Sequence, residues 1–334
     1  MAIEFTYTDR NYTELGYILI GSIDIENGKY EVASNDFEIT LNKLNWDAQF
    51  SKGSIFFNND SEYGGIVDSM KVETSNNEVI LKGPTFRGLL EKEYIQPPNG
   101  QSHLVLNKEA NAAIQELISG RFDDLYVVDN VGLSDITVNY QIRDYNLLEA
   151  LETMLYRADI PSRLDIKFYD GKVHLQALPI IDLSELLQVD DSYGLSMTVE
   201  TPKRSYNHIL CLGKGEMTER LRINLYLKSD GTWTTTESEA AYTGLNRNTY
   251  KYEDTNQEDA TELTNSAIKK VVEENGTDSV SINFTSDDAE LFDIVGAKEE
   301  ITGISFKEQI TKKILRATLN DNIQSVKIEY KVGD

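Results

Sequence analysis

Polar and apolar residues alternate along much of the first hundred positions. "YILIGSIDI" and "YEVASNDFEITL" do so on either side of the turn signal Glu26-Asn27-Gly28, and "GSIFFNN" is a further short strand. From Ile66 to Thr74, Ile66, Asp68, Met70 and Val72 face one way and Val67, Ser69, Lys71 and Glu73 the other. Ser75-Asn76-Asn77-Glu78 supplies turn chemistry, because Asn accepts a positive φ, and Val79 to Lys82 returns as the second arm of a hairpin. Both faces of Ile66–Val67 and Val79–Leu81 are partly apolar, which predicts a strand covered on two sides. Gly64-Gly65 and Gly83-Pro84 mark bends or a bulge at its ends. Phe86, Leu89 and Leu90 share a helical face, and Pro97-Pro98 is expected to end that element.

The period then changes. Ala110, Ala113, Ile114, Leu117 and Ile118 recur at helical spacing with Gly120 as a stop. "DLYVVDN" and "DITVNYQI" read as strands. "NLLEALETMLYRADIP" is the clearest helix, with Leu147, Leu148, Leu151, Met154, Leu155 and Ala158 in one stripe. Asn146 and Glu149 form its capping box and Pro161 lies beyond its end. A hairpin turning on Asp170-Gly171 follows. Strands return in "HILCLG" and "RLRINLYLKSDGTWTTTE". A polar stretch leads to a helix, "EDATELTNSAIKKVVEENG", with Thr255 and Glu258 as its expected capping box and Gly276 as its C-cap. In "QITKKILRATL", Ile310, Lys312, Ile314, Arg316 and Thr318 oppose Thr311, Lys313, Leu315 and Ala317, the pattern of a long half-buried strand. The order is β-rich, α+β, β-rich, with no tandem repeat, and the fold class is α+β, β-dominated.

A chain of 334 residues is too long for one small core. Its 40% apolar and 9% aromatic content is that of a folded globular protein. The charge is less ordinary: 32 basic against 56 acidic side chains give −24. Most of such a surface repels nucleic acid, so no sequence-specific nucleic-acid binding is expected. The same repulsion suits a wall past which DNA slides, or serves solubility alone. "MAIEFTYTDRNY" lacks the basic start and apolar core of a signal peptide, and no run approaches the roughly 20 apolar residues of a membrane span.

Candidate chemistry is sparse. Cys211, the one cysteine, lies in the apolar run "HILCLG" and reads as a buried, inert thiol. His103, His174 and His208 are not within metal-ligand spacing of one another or of the cysteine, and His174 sits mid-strand in "KVHLQA". "GKGEMTER" lacks the Lys-Ser/Thr ending of a phosphate loop and reads as a turn. The acidic turns at Val189–Asp191 and Ser286–Asp288 lack the pattern of a calcium loop. Trp46, Trp233 and the 18 tyrosines fit core and cross-strand pairs better than a sugar platform. Catalytic residues, cofactors and metals are all expected to be absent.

"FEITL", then "EYGGIVDSMKVET…VILKGPTFRGLLEKEYIQPP", then "NLLEALETMLYRADIPSRL" resemble the tail hub, or baseplate hub, proteins of long-tailed bacteriophages. In that family a Glu-x-Gly-Gly-Ile/Val hairpin leads to a Lys-Gly strand end and a Leu-Leu helix that stops near Pro-Pro. The segment "LFDIVGAKEEITGISFKEQITKKILRATLNDNIQSVKIEYKVG" is similar to the family's C-terminal strands, with Phe292 where the family has glycine before Asp293. The likeness covers most of residues 30–334 and is weakest over 235–290. It implies two tail-tube-like β-barrel domains, 1–98 and 191–334, the second with a polar and helical insertion at about 235–278. Between them lies a small α+β domain, 99–190. Gly64, Gly65, Gly83, Leu89, Pro97, Pro98, Asp293 and Gly296 become structural residues, the first three for backbone geometry. The implied role is a homotrimeric ring in the tail tip of a virion, prophage or tailocin particle. There it joins the tail tube protein to distal tail or baseplate proteins and the tip or spike protein, with the tape-measure protein in its lumen. The alternative is a carbohydrate-binding or cell-wall-degrading tip protein, which predicts an aromatic groove or a convergent acid pair. The chain ends at "YKVGD" straight after its last strand, so no appended lysin is expected.

Overall fold

The computed structural model describes residues 3–184, 188–189, 196–200, 205–275, 279–283, 289–298, 305–320 and 323–333. The expected cap Gly276 and the turn at Ser286–Asp288 lie outside them. Strands β1 (Thr6–Thr8), β2 (Glu14–Tyr17), β3 (Ser22–Gly28), β4 (Asp36–Asn42), β5 (Ile55–Phe57), β6 (Gly64–Ile66), β7 (Ser69–Glu73) and β8 (Glu78–Pro84) precede helix α1 (Phe86–Leu90). Then come β9 (Leu104–Glu109), α2 (Ala110–Ile118), β10 (Tyr126–Val128), β11 (Thr137–Ile142), α3 (Leu147–Tyr156), β12 (Ser162–Tyr169), β13 (Lys172–Pro179), β14 (Gln188–Val189) and β15 (Ser196–Glu200). The remainder is β16 (His208–Leu212), β17 (Arg222–Leu227), β18 (Trp233–Thr234), β19 (Thr249–Glu253), α4 (Ala260–Asn275), β20 (Ser279–Asn283), β21 (Ile294–Lys298), β22 (Ser305–Asn320) and β23 (Ile323–Val332). Two compact units result, Met1–Thr198 with Ser281–Asp334, and Val199–Val280.

The first unit is built on a long sheet that runs β20-β23-β22-β3-β4-β8-β7, with β21 joined to β22 and β14 to β21. A second sheet, β2-β1-β5-β6, contributes to the same core. Ile23, Ile25, Phe37, Ile39, Val79, Leu81, Leu315 and Ala317 from the long sheet meet Phe5, Phe56 and Tyr63 there, as in a sandwich. Phe56 packs edge-on against Phe37 at 4.5 Å. The short strand β5 is buried on both faces, which explains its unbroken "IFF". Phe56 enters the sandwich core, and Ile55 and Phe57 enter a second core made by α1, α2, α3 and β9 to β13. In that second core the Leu147–Leu155 stripe is buried, and Asn146 accepts the Glu149 N–H at the helix start. The β12–β13 hairpin turns on Asp170 (φ 48°) and Gly171 (φ 73°), the left-handed pair that a two-residue turn requires.

Four local expectations change. The chain does not turn at Glu26-Asn27-Gly28: β3 runs through all three because Asn27 and Gly28 pair with Lys313 and Lys312 of β22. The reversal falls over residues 29–35. Helix α1 ends at Leu90, well before Pro97-Pro98. The intervening chain is captured instead, with the Ile95 N–H donating to the Tyr145 carbonyl and the Leu147 N–H to the Glu93 carbonyl. Helix α4 starts at Ala260, capped by Asp259, whose Oδ1 accepts the Thr261 and Glu262 N–H groups, so Thr255 is not its cap. Lastly, among the described residues no sheet closes into a barrel. The long sheet stops at β7, where Met70 and Val72 are exposed. The chain is a β-dominated α+β protein.

In the second unit the sheet order is β18-β17-β16-β19, with β16 and β19 parallel. Helix α4 covers one face through Leu263, Ala267 and Val271, against Ile209, Cys211 and Leu225. Residues of the expected insertion, β19 and α4, thus complete the sheet and core begun by residues 208–234.

Candidate functional site

Local sequence aims a cation into the first unit. Thr85 caps α1 by accepting the Gly88 N–H, and Gly88 lies so close to the Asn35 carbonyl that an added Cβ would be 2.1 Å from its oxygen. The helix is pressed onto the β3–β4 connection, and its second residue, Arg87, points inward at 2% exposure. Nη2 pairs with Glu62 Oε2 at 3.3 Å and donates to the Leu164 carbonyl at 3.2 Å, while Nη1 pairs with Glu152 Oε1 at 3.2 Å. Glu152 Oε2 accepts the Tyr30 N–H at 2.9 Å. The guanidinium also lies 5.9 Å from the ring centroid of Phe292.

Beside it, Arg163 on β12 pairs with Asp165 Oδ1 at 3.0 Å and approaches Asp293 Oδ1 at 3.4 Å. Asp293 is 1% exposed and accepts the Ile181 and Glu290 N–H groups. Lys313 on β22 pairs with Glu290 at 2.8 Å and lies over the rings of Tyr63 and Tyr330. The charges therefore tie together the Glu62–Leu90 segment, α3, β12 and the C-terminal strands. Burial raises the Glu152 carboxyl to about 7, against the pull of Arg87 and the Tyr30 N–H. Burial likewise raises Glu62, partly offset by Arg87 and Lys313.

Of the residues predicted to be structural, Asp293 belongs to this junction. Gly64, Gly65 and Gly83 take no left-handed φ. Their lack of a side chain serves close approach: an added Cβ would sit 2.4 Å from Phe86 at Gly64, 2.3 Å from the Pro84 carbonyl oxygen at Gly65, and 2.0 Å from the Ile66 carbonyl oxygen at Gly83. Leu89 is buried in the α+β core. Pro97 is half-buried and Pro98 exposed. Gly296 lies against Ser184, whose carbonyl oxygen would be 2.8 Å from a Cβ. Phe292, at the position where the hub family has glycine, adopts φ 73°, a left-handed backbone that glycine takes freely. Sequence reading did not single out Arg87 or Glu152; the one signal was an arginine inside the apolar helix "FRGLL".

At this junction Arg87, Arg163 and Lys313 all face carboxylates. Cys211, in the other unit, is buried, which pushes its thiol up to about 11. His174 Nδ1 lies 2.8 Å from Asp129 and the ring stacks on Tyr169. Trp46 donates to the Phe50 carbonyl and packs on the sandwich core, and Trp233 packs on the core of the second unit. Among the described residues no group of His, Cys, Asp and Glu could hold a metal ion, and no helix is long and apolar enough to cross a membrane.

No protein-family model and no curated protein matches the sequence. Solved structures do match. The 43 kDa tail protein of prophage MuSo2 from Shewanella oneidensis is 11% identical, with TM-score 0.51 over 99% of this chain and 97% of that one. Prophage tail protein gp18 from Listeria monocytogenes EGD-e is 11% identical, with TM-score 0.49 over 98% and 94%. The tail protein from Neisseria meningitidis MC58 is 12% identical, with TM-score 0.47 over 100% and 97%. The order of strands and helices built around the Arg87 junction is thus, along nearly its whole length, similar in fold to a prophage tail protein.

Proposed function

We propose that this protein is a structural subunit of a phage or phage-like tail tip. The observation that carries the reading is the likeness of fold to the MuSo2 tail protein, which spans 99% of this chain. In this reading the chain is a baseplate hub that assembles as a homotrimer and performs no catalysis. Each copy offers two tube-like modules, drawn from 1–98 and 191–334, so that three copies present six to a six-fold tail tube. The α+β segment 99–190 faces the distal tail, baseplate or spike proteins. The pairing of β22 with β3 supports an exchange of strands between the two modules. The buried charge pairs support a scaffold role, since they fix several segments in one arrangement at a cost in desolvation. The charge of −24 fits a lumen that passes DNA and the tape-measure protein without trapping either.

Light scattering on the purified chain, with imaging of the assembled tip, tests this. The expected mass is three times the 37.8 kDa of one chain, with a ring of three copies in the tip. A tip without this chain, or one holding a single copy engaged with a saccharide, would overturn it in favour of a sugar-binding or wall-degrading protein. A neutral or basic ring lumen would overturn the electrostatic part alone.

A further inference from the structure

Lys313 and Glu290 are held together more firmly than an ion pair requires. Lys313 lies on β22 between two neighbouring strands, opposite Asn27 of β3 and Tyr330 of β23. It is 7% exposed, and its ammonium lies over the rings of Tyr63 and Tyr330 at 5.3 and 5.7 Å. Its Nζ is 2.8 Å from Glu290 Oε2. Glu290 is anchored in turn. Its N–H donates to Asp293 Oδ2 and its carbonyl accepts the Asp293 N–H, while Asp293 is itself buried. A second carboxyl, that of the buried Glu62, lines the same small cavity as Lys313 and Glu290. Other lysine–carboxylate pairs of this chain, such as Lys82–Glu38 and Lys92–Asp68, are about half exposed. An amine and a carboxyl fixed in contact, enclosed by aromatic rings and beside a further acid, are placed to react with each other.

We propose that Lys313 and Glu290 condense to an intramolecular amide that joins Nζ to Cδ and releases one water. The atoms balance without another reactant. One proton passes from the ammonium to the Glu290 carboxylate, leaving an amine beside a carboxylic acid. The Nζ lone pair attacks Cδ, Nζ gives up a second proton, the Cδ–O bond breaks, and the hydroxyl leaves with that proton as water. Burial alone would lower the Lys313 ammonium, but Tyr63, Tyr330, Glu290 and Glu62 around it raise it well above its ordinary range, so the first proton transfer is slow. Burial raises the Glu62 carboxyl against the pull of Arg87 and Lys313, which suits it to carry the second proton to the leaving hydroxyl. Free amines and carboxylates do not condense in water, but groups held in contact reach effective concentrations of about 10⁵–10⁸ M. The amide also removes a buried ammonium, whose desolvation the ion pair has to offset. The bond ties the segment ahead of β21 to β22 across 23 positions of sequence, as a disulfide would.

The test is the intact mass of the full chain under denaturing conditions, with fragmentation of its proteolytic peptides. The expected mass is about 18 Da below that of the sequence, with a branched peptide joining residues 290 and 313. Glu290→Ala and Lys313→Met are each expected to restore the full sequence mass. A parent chain at full mass, or a branch from Lys313 to Glu62, overturns the proposal. So does a mass loss that hydroxylamine reverses, since a cyclic imide at Asp170-Gly171 or Asp230-Gly231 also loses one water. Glu62→Gln keeps the shape and removes the acid. In the folded variant, sampled over time after synthesis, the loss is expected to appear about 100-fold more slowly. An equal rate overturns the role given to Glu62, while the parent chain alone decides the bond.

Discussion

Replacing Arg87 by Met keeps an unbranched apolar stem and removes the guanidinium with its charge and its donors. The structure sets the size of the effect. Arg87 is buried between Glu62 and Glu152, and its loss leaves two buried carboxylates and the Leu164 carbonyl without their shared partner. Breaking a buried pair from one side costs about 3–5 kcal/mol. Glu152 keeps the Tyr30 N–H, so the lower half of that range is expected at pH 8. The sign with pH follows from linkage. Both carboxyls already have raised affinity for protons, and Arg87 is the charge that holds the rise in check. In the variant they rise further, the folded state takes up protons that the unfolded state releases, and the penalty shrinks as pH falls toward 5. Urea unfolding followed by Trp46 fluorescence in a Trp233→Phe background measures the first unit alone, since Trp233 belongs to the other unit. Adding Glu62→Gln and Glu152→Gln to Arg87→Met is expected to recover most of the loss at pH 8. A cost below about 1 kcal/mol at pH 8, or one that does not change with pH, would refute the claim that Arg87 is the counter-charge of this junction.

Three further outcomes are expected. In the parent protein the Glu152 carboxyl moves from 4.5 to about 7 on folding. The first unit therefore loses stability as pH rises from 4.5 to 7, by at most about 3.5 kcal/mol at roughly 1.4 kcal/mol per unit, and Glu152→Gln should flatten that slope in the same urea assay. Gly83→Ala places a methyl against the Ile66 carbonyl oxygen, where only movement of the main chain can relieve it. A loss of about 1–3 kcal/mol is expected, and an unchanged melting temperature would show that β8 is not held so tightly. Phe292→Gly relieves a left-handed backbone worth about 1–2 kcal/mol. It also deletes a ring that is 7% exposed and lies beside Arg87, at about 3–5 kcal/mol by analogy with Phe→Ala. The net is a loss, and stabilisation in thermal melts would show that backbone strain outweighs packing there.

The resemblance to hub proteins was carried by short-range patterns, and those patterns survive in the structure as elements. The Asp170-Gly171 turn, the Leu147–Leu155 stripe with its Asn146 cap, the Asn77 turn and the long strand β22 each depend on neighbours a few residues away, so sequence determines them. What depends on distant partners was not legible. Strand β3 runs through a turn signal because β22, almost 300 residues later, supplies its ladder. The chain after α1 follows residues 145–147 rather than Pro97-Pro98. The glycines of the "EYGG" hairpin make room for Phe86 and for carbonyl groups brought up by the fold, which no local propensity encodes. The junction is the extreme case. Glu62, Arg87, Glu152, Arg163, Asp293 and Lys313 are ordinary charges among 88 in the sequence until folding buries them together. Removing them from water makes their pairing strong and their isolation costly, and only the tertiary structure decides which charges share that fate.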